Sequence, residues 1–337
     1  MTVPPVNLRP AFNITRSSHL RLTVADLAES RNFYTRVLGM VVSDEDDTTC
    51  YLRGLAEACH HSLVLEADTE EVGSCRRIGF RVFFDEELDV AYRWFRERGL
   101  PAEFVQRPYQ GRTLLVSDPI GTPLELCATM QTRPRKHIDF ADYHGAHVQR
   151  LDHYQILAPD TYESCAFYSE LGFRNSEYLV GDEDTMIGAF MYRKGTCLDL
   201  AIVTGVGPRL HHFAFTVSES RDIFTACDFA GLAGYGDNVE RGPGRHGPGG
   251  MLFAYIRDPD GHRVEVFQSH YQTIDIETEA IRWDATALAT NARWGLPALQ
   301  KWYVEASNFT GVPVKDPHTL PDPMTLEKLL VLEGRAD

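Results

Sequence analysis

The chain has no cysteine pattern that would indicate disulfides or a structural zinc site. Its seven cysteines are an odd number spread along 337 residues, and no two of them stand as Cys-x-x-Cys. Disulfide frameworks and zinc ribbons need paired or closely spaced cysteines. We therefore expect free thiols and a reducing compartment, which fits a cytoplasmic protein.

Long hydrophobic runs and basic tracts are also missing. No apolar stretch reaches the roughly 18 residues of a transmembrane helix, and the first residues contain no apolar segment of the signal-peptide type. The formal net charge is -15, from 48 acidic and 33 basic residues, and no basic tract offsets it, which argues against a nucleic-acid partner. No phosphate loop or dinucleotide fingerprint occurs. These absences predict a soluble protein with neither a membrane nor a nucleic acid as partner.

What the chain does contain is an internal repeat. RSSHLRLTVAD at 16–26 corresponds to RLDHYQILAPD at 150–160, and DPIGTPLEL at 118–126 corresponds to DPDGHRVEV at 258–266. Each of the first pair places a histidine in an alternating apolar run that ends in Asp, which is typical of a strand leading into a helix N-cap. Because two distant segments recur in the same order, we predict a duplicated domain.

Each copy is itself doubled, since the order strand, helix and then several strands occurs twice within it. The pattern predicts an α+β fold of two domains, each made of two β-α-β-β-β modules. We predict an N-terminal domain without metal over 1–135, a catalytic metal-binding domain over 136–270, and a tail over 271–337 that covers the active site. Residues 128–149 are predicted to connect the domains.

The second copy carries three candidate metal ligands, His153, His212 and Glu265, each in the middle of a predicted strand that is half buried. Burying two imidazoles and a carboxylate without partners is expensive, and one divalent metal ion satisfies all three. Two histidines and one carboxylate leave open coordination positions, an arrangement that suits Fe(II) and oxygen chemistry, while Mn(II) also accepts such ligands. We predict Fe(II), with Mn(II) as the alternative.

Four segments in order, RLDHYQILAPD, GPRLHHFAFTV, ERGPGRHGPGG and YIRDPDGHRVEVF, resemble the type I extradiol ring-cleavage dioxygenases of the vicinal oxygen chelate superfamily. The likeness is strongest to the branch that cleaves homoprotocatechuate, and it extends to WDA and WYVEAS in the tail. The resemblance implies His153, His212 and Glu265 as metal ligands, a catechol-type aromatic diol as substrate, and O2 as co-substrate. It further implies a role in aromatic degradation and a homo-oligomer, either a tetramer or a dimer.

The same resemblance implies roles for residues around the metal. His246 and Tyr255 are expected to be catalytic, moving protons at the bound substrate. Arg241 is expected on a substrate-facing loop. Gln155 stands where the family usually has asparagine and Phe190 where it has tryptophan, and both are expected to contact the substrate.

One departure from the family concerns the reaction itself. Leu198 occupies the position of a histidine that acts as an acid–base group in the family, and leucine cannot transfer a proton. The tail arginines that hold a substrate carboxylate in the homoprotocatechuate enzymes appear here as Thr290 and Asn291. We therefore predict that Leu198 contacts a different substrate, a catechol that is trihydroxylated or otherwise substituted.

The first copy keeps His19 and Glu125, but the position that corresponds to His212 falls near Ile78, which cannot bind metal. This predicts that only the second domain holds a metal ion. The doublet His60-His61 in the first domain is predicted to be a surface or structural feature.

Two other functions fit the same modules. A metal-dependent isomerase or lyase would polarise its substrate without redox change, and oxygen uptake would distinguish it from a dioxygenase. A binding protein of the bleomycin-resistance type would share the modules without the three ligands. The complete set of three favours the dioxygenase, since fold alone does not determine function.

Overall fold

The computed structural model describes residues 3–285, 287 and 292–334. Its N-terminal half contains two consecutive β-α-β-β-β modules that share one eight-stranded sheet. The first module consists of β1 (Ile14–Val24), α1 (Leu27–Arg36), β2 (Val41–Glu45), β3 (Thr49–Arg53) and β4 (Leu63–Ala67), and the second of β5 (Cys75–Val82), α2 (Glu86–Glu97), β6 (Ala102–Val105), β7 (Thr113–Ser117) and β8 (Pro123–Cys127).

The C-terminal half repeats this order in a second sheet. Its modules consist of β9 (Arg150–Ala158), α3 (Thr161–Glu170), β10 (Arg174–Val180), β11 (Met186–Tyr192) and β12 (Leu200–Thr204), then β13 (Arg209–Val217), α4 (Ser220–Leu232), β14 (Val239–Arg245), β15 (Leu252–Arg257) and β16 (Arg263–Gln268). The predicted α+β fold of two domains with paired modules is confirmed.

The repeated Asp residues start the first helix of each half. The Asp26 side chain accepts a hydrogen bond from the backbone N–H of Glu29, and Asp160 does the same for Glu163. Such side-chain caps satisfy N–H groups that the first helical turn leaves without partners. Gly172 directly follows the cap residue of α3 with φ 84°, a left-handed conformation that glycine adopts without steric cost. The motif read from the sequence is thus a helix with both ends specified.

Strand order places the first strand of each half in the middle of its sheet. The orders are β2-β3-β4-β1-β5-β8-β7-β6 and β14-β15-β16-β13-β9-β12-β11-β10. In both, the first strands of the two modules are antiparallel neighbours, as in β1 with β5 and β9 with β13. Side chains from both modules therefore meet on one face of each sheet, which is where a shared site can form.

The two halves pack together through matching contacts. The Tyr34 hydroxyl on α1 donates to Asp258 Oδ2 at 2.8 Å, and the equivalent Tyr168 on α3 donates to Asp118 Oδ2 at 3.0 Å. Burial raises the pKa of Asp118 to about 6 and also raises the pKa of Asp258. The reciprocal pairs mean that each half supplies a tyrosine to the turn of the other.

The C-terminal segment adds two short strands to the second sheet. Strand β17 (Ile281–Asp284) pairs with the edge strand β10, and β18 (Ser307–Asn308) pairs with β13 beside the centre of the second sheet. Helix α5 (Gln300–Val304) lies between them in sequence, and α6 (Leu326–Leu332) follows. Across the described residues, no helix is both long enough and apolar enough to cross a membrane.

Candidate metal centre and active site

The three predicted ligands come together at the centre of the second sheet. Ala214 of β13 pairs with His153 of β9 on one side and with Glu265 of β16 on the other, which places all three strands in register. The Nε2 atoms of His153 and His212 lie 3.1 and 3.4 Å from Glu265 Oε2. All three side chains are at least 97% buried, so water cannot satisfy them.

Asp152 determines which nitrogen of His153 faces this centre. His153 Nδ1 lies 3.0 Å from Asp152 Oδ2. Burial would raise the pKa of Asp152, but the charge of Lys194 and the nearby His270 hold it well below its usual range. The ionised carboxylate can only accept, so Nδ1 carries the proton. When the ring is neutral, its lone pair is on Nε2 and points towards Glu265.

A second hydrogen-bonded chain determines the orientation of His212. His211 Nε2 lies 2.7 Å from the Trp302 carbonyl oxygen, which can only accept, so Nε2 of His211 carries a proton. Burial holds the pKa of His211 well below its usual range, and its Nδ1 therefore keeps a lone pair. His212 Nδ1 is 2.7 Å from that atom and must donate to it. Burial also lowers the pKa of His212, to about 4, which leaves the neutral ring with a lone pair on Nε2.

The Glu265 carboxylate completes the set. Burial alone would raise the pKa of Glu265, but its close contacts with His153, His212 and His246 hold it well below its usual range. Lone pairs from two imidazoles and a carboxylate thus converge within 4.8 Å. Convergent acceptors in a buried position fit a divalent cation, and hydrogen bonds on the far side of each ligand are the usual support for such a centre.

A cavity of about 140 Å³ opens beside these ligands. One side of it is polar: His246 Nε2 lies 3.0 Å from the Tyr255 hydroxyl and 3.0 Å from Glu265 Oε1. Arg241 lines the same side, and its guanidinium stands 4.3 Å from the centre of the Trp302 ring. Much of the remaining lining is apolar and consists of Leu179, Phe190, Cys197, Leu198, Ala201 and Val203, and Ser176 and Glu177 also contribute to it.

The residues predicted to contact substrate all line this cavity. Gln155 pairs with His212 across β9 and β13, while Phe190 and Leu198 belong to the apolar side. Arg241 lies within strand β14, not on a loop as predicted, because the segment pairs with Tyr255 of β15. Thr290 and Asn291 lie outside the described residues.

In the first domain, strand register corrects one prediction. Gly79 pairs with both His19 and Glu125, just as Ala214 pairs with His153 and Glu265. The position of His212, two residues before Ala214, therefore corresponds to Arg77 and not to Ile78. Arginine cannot donate a lone pair to a metal, so the conclusion drawn for this domain is unchanged.

Of the two readings predicted for His60-His61, a surface or a structural feature, burial excludes the first and agrees with the second. Both side chains are fully buried, and His61 packs edge-on against His19 with ring centres 5.7 Å apart. His61 stands two residues before Leu63 of β4, as Leu198 stands two residues before Leu200 of β12. The first domain thus keeps a histidine at the position where the second has leucine.

Sequence reasoning missed the residues that support the ligands. Asp152 and His270 lie within 4.8 Å of His153, and Trp302 both fixes His211 and lines the cavity. The charged Asp152 inside an apolar strand was a usable signal, because a buried carboxylate needs partners. His270 and Trp302 come from segments whose position depends on the tertiary fold, so no local pattern indicated them.

Comparison with known proteins agrees with this geometry. The model of the Glyoxalase/Bleomycin resistance protein/Dioxygenase superfamily matches residues 16–126 and 150–266, which are the two halves of the chain. A variant of homoprotocatechuate 2,3-dioxygenase from B. fuscum is 36% identical with a TM-score of 0.89, over 94% of this chain and 90% of that one.

Two further proteins are similar to this chain over most of its length, one in structure and one in sequence. Homoprotocatechuate 2,3-dioxygenase from Arthrobacter globiformis is 35% identical with a TM-score of 0.87, over 93% of this chain and 99% of that one. A manganese-dependent 2,3-dihydroxybiphenyl 1,2-dioxygenase from Geobacillus genomosp. 3 is 25% identical over 85% of this chain and 95% of its own length. These relatives do not favour the isomerase alternative. The chain belongs to the Glyoxalase/Bleomycin resistance protein/Dioxygenase superfamily and, within it, to the extradiol ring-cleaving dioxygenases.

Proposed function

We propose that the chain uses Fe(II), held by His153, His212 and Glu265, to open the ring of a catechol that carries an apolar substituent. The observation that carries this proposal is the convergence of three buried lone-pair donors at a cavity with one polar and one apolar side. Mn(II) is the second candidate ion, supported by the manganese dependence named for one relative and by the ligand chemistry.

The bound metal ion supplies a Lewis-acid and redox centre that holds the diol and O2 next to each other. The protein side chains then control protons. Burial lowers the pKa of His246, so its ring is neutral near pH 7 and can accept a phenolic proton. Burial holds the pKa of Tyr255 well above its usual range, so this hydroxyl keeps its proton and donates a hydrogen bond to substrate.

The apolar side of the cavity supports the choice of substrate. Cys197, Leu198 and Ala201 form one buried cluster, and the half-buried Phe190 packs against it. A charged or strongly polar ring substituent placed there would lose its water without gaining a partner. An alkyl or aryl substituent would instead gain about 25 cal/mol for each Å² removed from water. Gln155 and Arg241, on the polar side, are proposed to orient the diol.

Three further parts of the proposal concern the whole protein. All seven cysteines are free, which supports a cytoplasmic location. Exposed Phe83, Phe84 and Phe140 support association into a dimer or tetramer, since exposed apolar groups often mark interfaces. We keep the proposed division of the chain into an N-terminal domain (1–135), a catalytic domain (136–270) and a tail (271–337). The tail is proposed to cover the active site because Trp302 and Tyr303 line the cavity.

The test is anaerobic loading with Fe(II) or Mn(II), followed by oxygen uptake and yellow product formation with four diols. These are catechol, 2,3-dihydroxybiphenyl, 3,4-dihydroxyphenylacetate and a trihydroxybenzene. We expect kcat/KM for the aryl catechol to exceed that for the carboxylate-bearing catechol by about tenfold or more, because an unpaired buried charge costs more than 1.4 kcal/mol.

A matched variant shows whether the apolar side is responsible. Leu198→Asn places an amide of similar size on that side and should reduce the preference for the aryl catechol. Faster cleavage of the carboxylate-bearing diol by the wild-type protein would contradict the proposed substrate. Absence of oxygen uptake with all four diols, despite a full metal content, would contradict the proposed reaction.

A further inference from the structure

The N-terminal sheet repeats the geometry of the metal centre with different side chains. His19 Nε2 lies 2.9 Å from Glu125 Oε1, as His153 lies beside Glu265 in the second sheet. Arg77 takes the position of His212, as the strand register shows. A guanidinium group therefore stands where the second domain supplies a metal ligand.

The Glu125 carboxylate already has a full set of partners. It accepts from His19, from Gln110 Nε2 at 2.8 Å and from Arg107 Nε at 3.2 Å. Burial would raise the pKa of Glu125, but these partners and the charge of Arg21 outweigh it and lower the pKa. Protein groups alone therefore stabilise the ionised carboxylate, and this centre does not need a metal ion.

A polar cavity of about 500 Å³ lies beside this centre. The chain supplies three guanidinium groups and one carboxylate to its lining, together with threonine hydroxyls, among them that of Thr310. The charged lining residues are Arg76, Arg77, Arg107 and Glu66. The lining is therefore cationic before any pairing is considered.

Pairing differs among these residues. Glu66 is matched by Arg21 at 2.5 Å and by Arg76 at 2.9 Å, and Arg76 also pairs with Asp68. The Arg77 guanidinium, by contrast, makes one hydrogen bond in the described part of the chain, a long one of 3.5 Å from Nη1 to the Leu124 carbonyl.

In the described part of the chain, the partner of Arg107 is the shared Glu125. Burial lowers the pKa of Arg77, the charge of Glu125 opposes this shift, and the neighbouring charge of Arg107 adds to it. Two guanidinium groups that repel each other in a partly enclosed space are stabilised when an anion lies between them. Guanidinium groups bind carboxylate and phosphate oxygens with two parallel hydrogen bonds.

The tail supplies one further residue to the lining. Thr310 follows the Cys75–Phe309 bridge to the first sheet, and its backbone N–H donates to the Cys75 carbonyl at 3.1 Å. The tail therefore closes one side of the cavity, where Thr310 is a lining residue.

We propose that this cavity of the N-terminal domain binds a small oxyanion, a carboxylate or a phosphate, through Arg77 and Arg107. Arg77, at the position of a metal ligand in the second domain, would here bind an anion. The inference does not rest on the reaction proposed for the second domain, since it uses no residue of that site.

The experiment is isothermal titration calorimetry of the full chain with inorganic phosphate and, separately, with succinate, at constant ionic strength set with chloride. We expect saturable binding of one or both anions, and binding at least about tenfold weaker in Arg77→Gln, because charge-assisted hydrogen bonds contribute about 1.5–3 kcal/mol. Arg112→Gln is the control, since Arg112 pairs with Asp89 on the outside of the same domain, and it should bind like wild type.

The two anions distinguish the source of the ligand. Binding of phosphate alone assigns a phosphate or phosphoester, and binding of succinate alone assigns a carboxylate. No saturable heat with either anion would overturn the inference, as would unchanged affinity in a folded Arg77→Gln variant, because binding at Arg241 would survive that change. Arg107→Gln provides the same test if Arg77→Gln does not fold, as judged from its thermal unfolding transition.

Discussion

Replacing His211 should weaken metal binding although His211 is not itself a ligand. Its Nδ1 accepts the proton of His212 Nδ1 at 2.7 Å, and its Nε2 donates to the Trp302 carbonyl at 2.7 Å. In His211→Phe the ring volume remains but the acceptor is lost. His212 then either leaves a buried N–H without a partner or moves its proton to Nε2, where it blocks the lone pair that faces Glu265.

The expected loss of metal affinity follows from where His212 carries its proton. In the metal-free variant the proton can move to Nε2 and donate to Glu265, but in the metal-bound variant the buried Nδ1–H stays without a partner. An unpaired buried donor costs about 1–3 kcal/mol, so we expect metal affinity to fall by about tenfold to a hundredfold, the usual range for residues that orient metal ligands. His211→Asn places an amide oxygen near the lost acceptor and should recover most of the affinity.

The assay is competition for Mn(II) against a fluorescent chelator, which avoids oxidation of the metal and does not depend on turnover. His60→Phe is the matched control, because it makes the same exchange at a fully buried histidine of the other domain and should bind Mn(II) like wild type. If folded His211→Phe binds Mn(II) within a factor of two of wild type, the proposed proton arrangement is wrong.

The remaining predictions concern ligand identity, stability and the apolar side of the cavity. Glu265→Gln should lose bound metal in elemental analysis, whereas Glu125→Gln, the same change in the first domain, should keep the wild-type content; equal loss in both would contradict the assignment. The pKa of Asp118 is about 6 in the folded protein, above about 3.9 in an unfolded chain. Ionising it therefore costs stability as pH rises from about 4 to above 6, by about 3 kcal/mol in total. Relative to wild type, Asp118→Asn should gain about 1.5 kcal/mol in free energy of unfolding between pH 5 and pH 8, and a difference that does not vary with pH would refute this. Leu198→His should raise kcat for unsubstituted catechol by tenfold or more, because it adds a proton-transfer group; a rate at or below that of wild type would show that the cavity cannot use it.

Much of the fold followed from the sequence because its signals are local. An aspartate cap before the first helix of each half, a glycine after it and the alternation of the strands depend on neighbouring residues only. Because the chain is duplicated, these local signals recur, and their recurrence predicts four modules. His153, His212 and Glu265 were also accessible, since a polar residue in the middle of an apolar strand needs a buried partner wherever the strand lies.

Strand register could not be read with the same accuracy. The 134-residue spacing between His19 and His153 placed Ile78 opposite His212, but pairing of Gly79 with His19 and of Ala214 with His153 makes Arg77 the equivalent residue. A shift of one residue moves a side chain to the other face of the sheet. The arginine that distinguishes the first domain therefore became visible only in the structure.

The sequence by itself determined the modules, their duplication and the three lone-pair donors at the centre of the second sheet. Tertiary structure alone decided that His61 is buried against His19, that Trp302 holds His211, and that Thr310 reaches the first domain. These contacts join residues far apart in the chain, and nothing in a local pattern indicates which distant backbone group will meet a given side chain. Burial then requires every such polar group to find a partner, and that requirement is met only when the whole chain has folded.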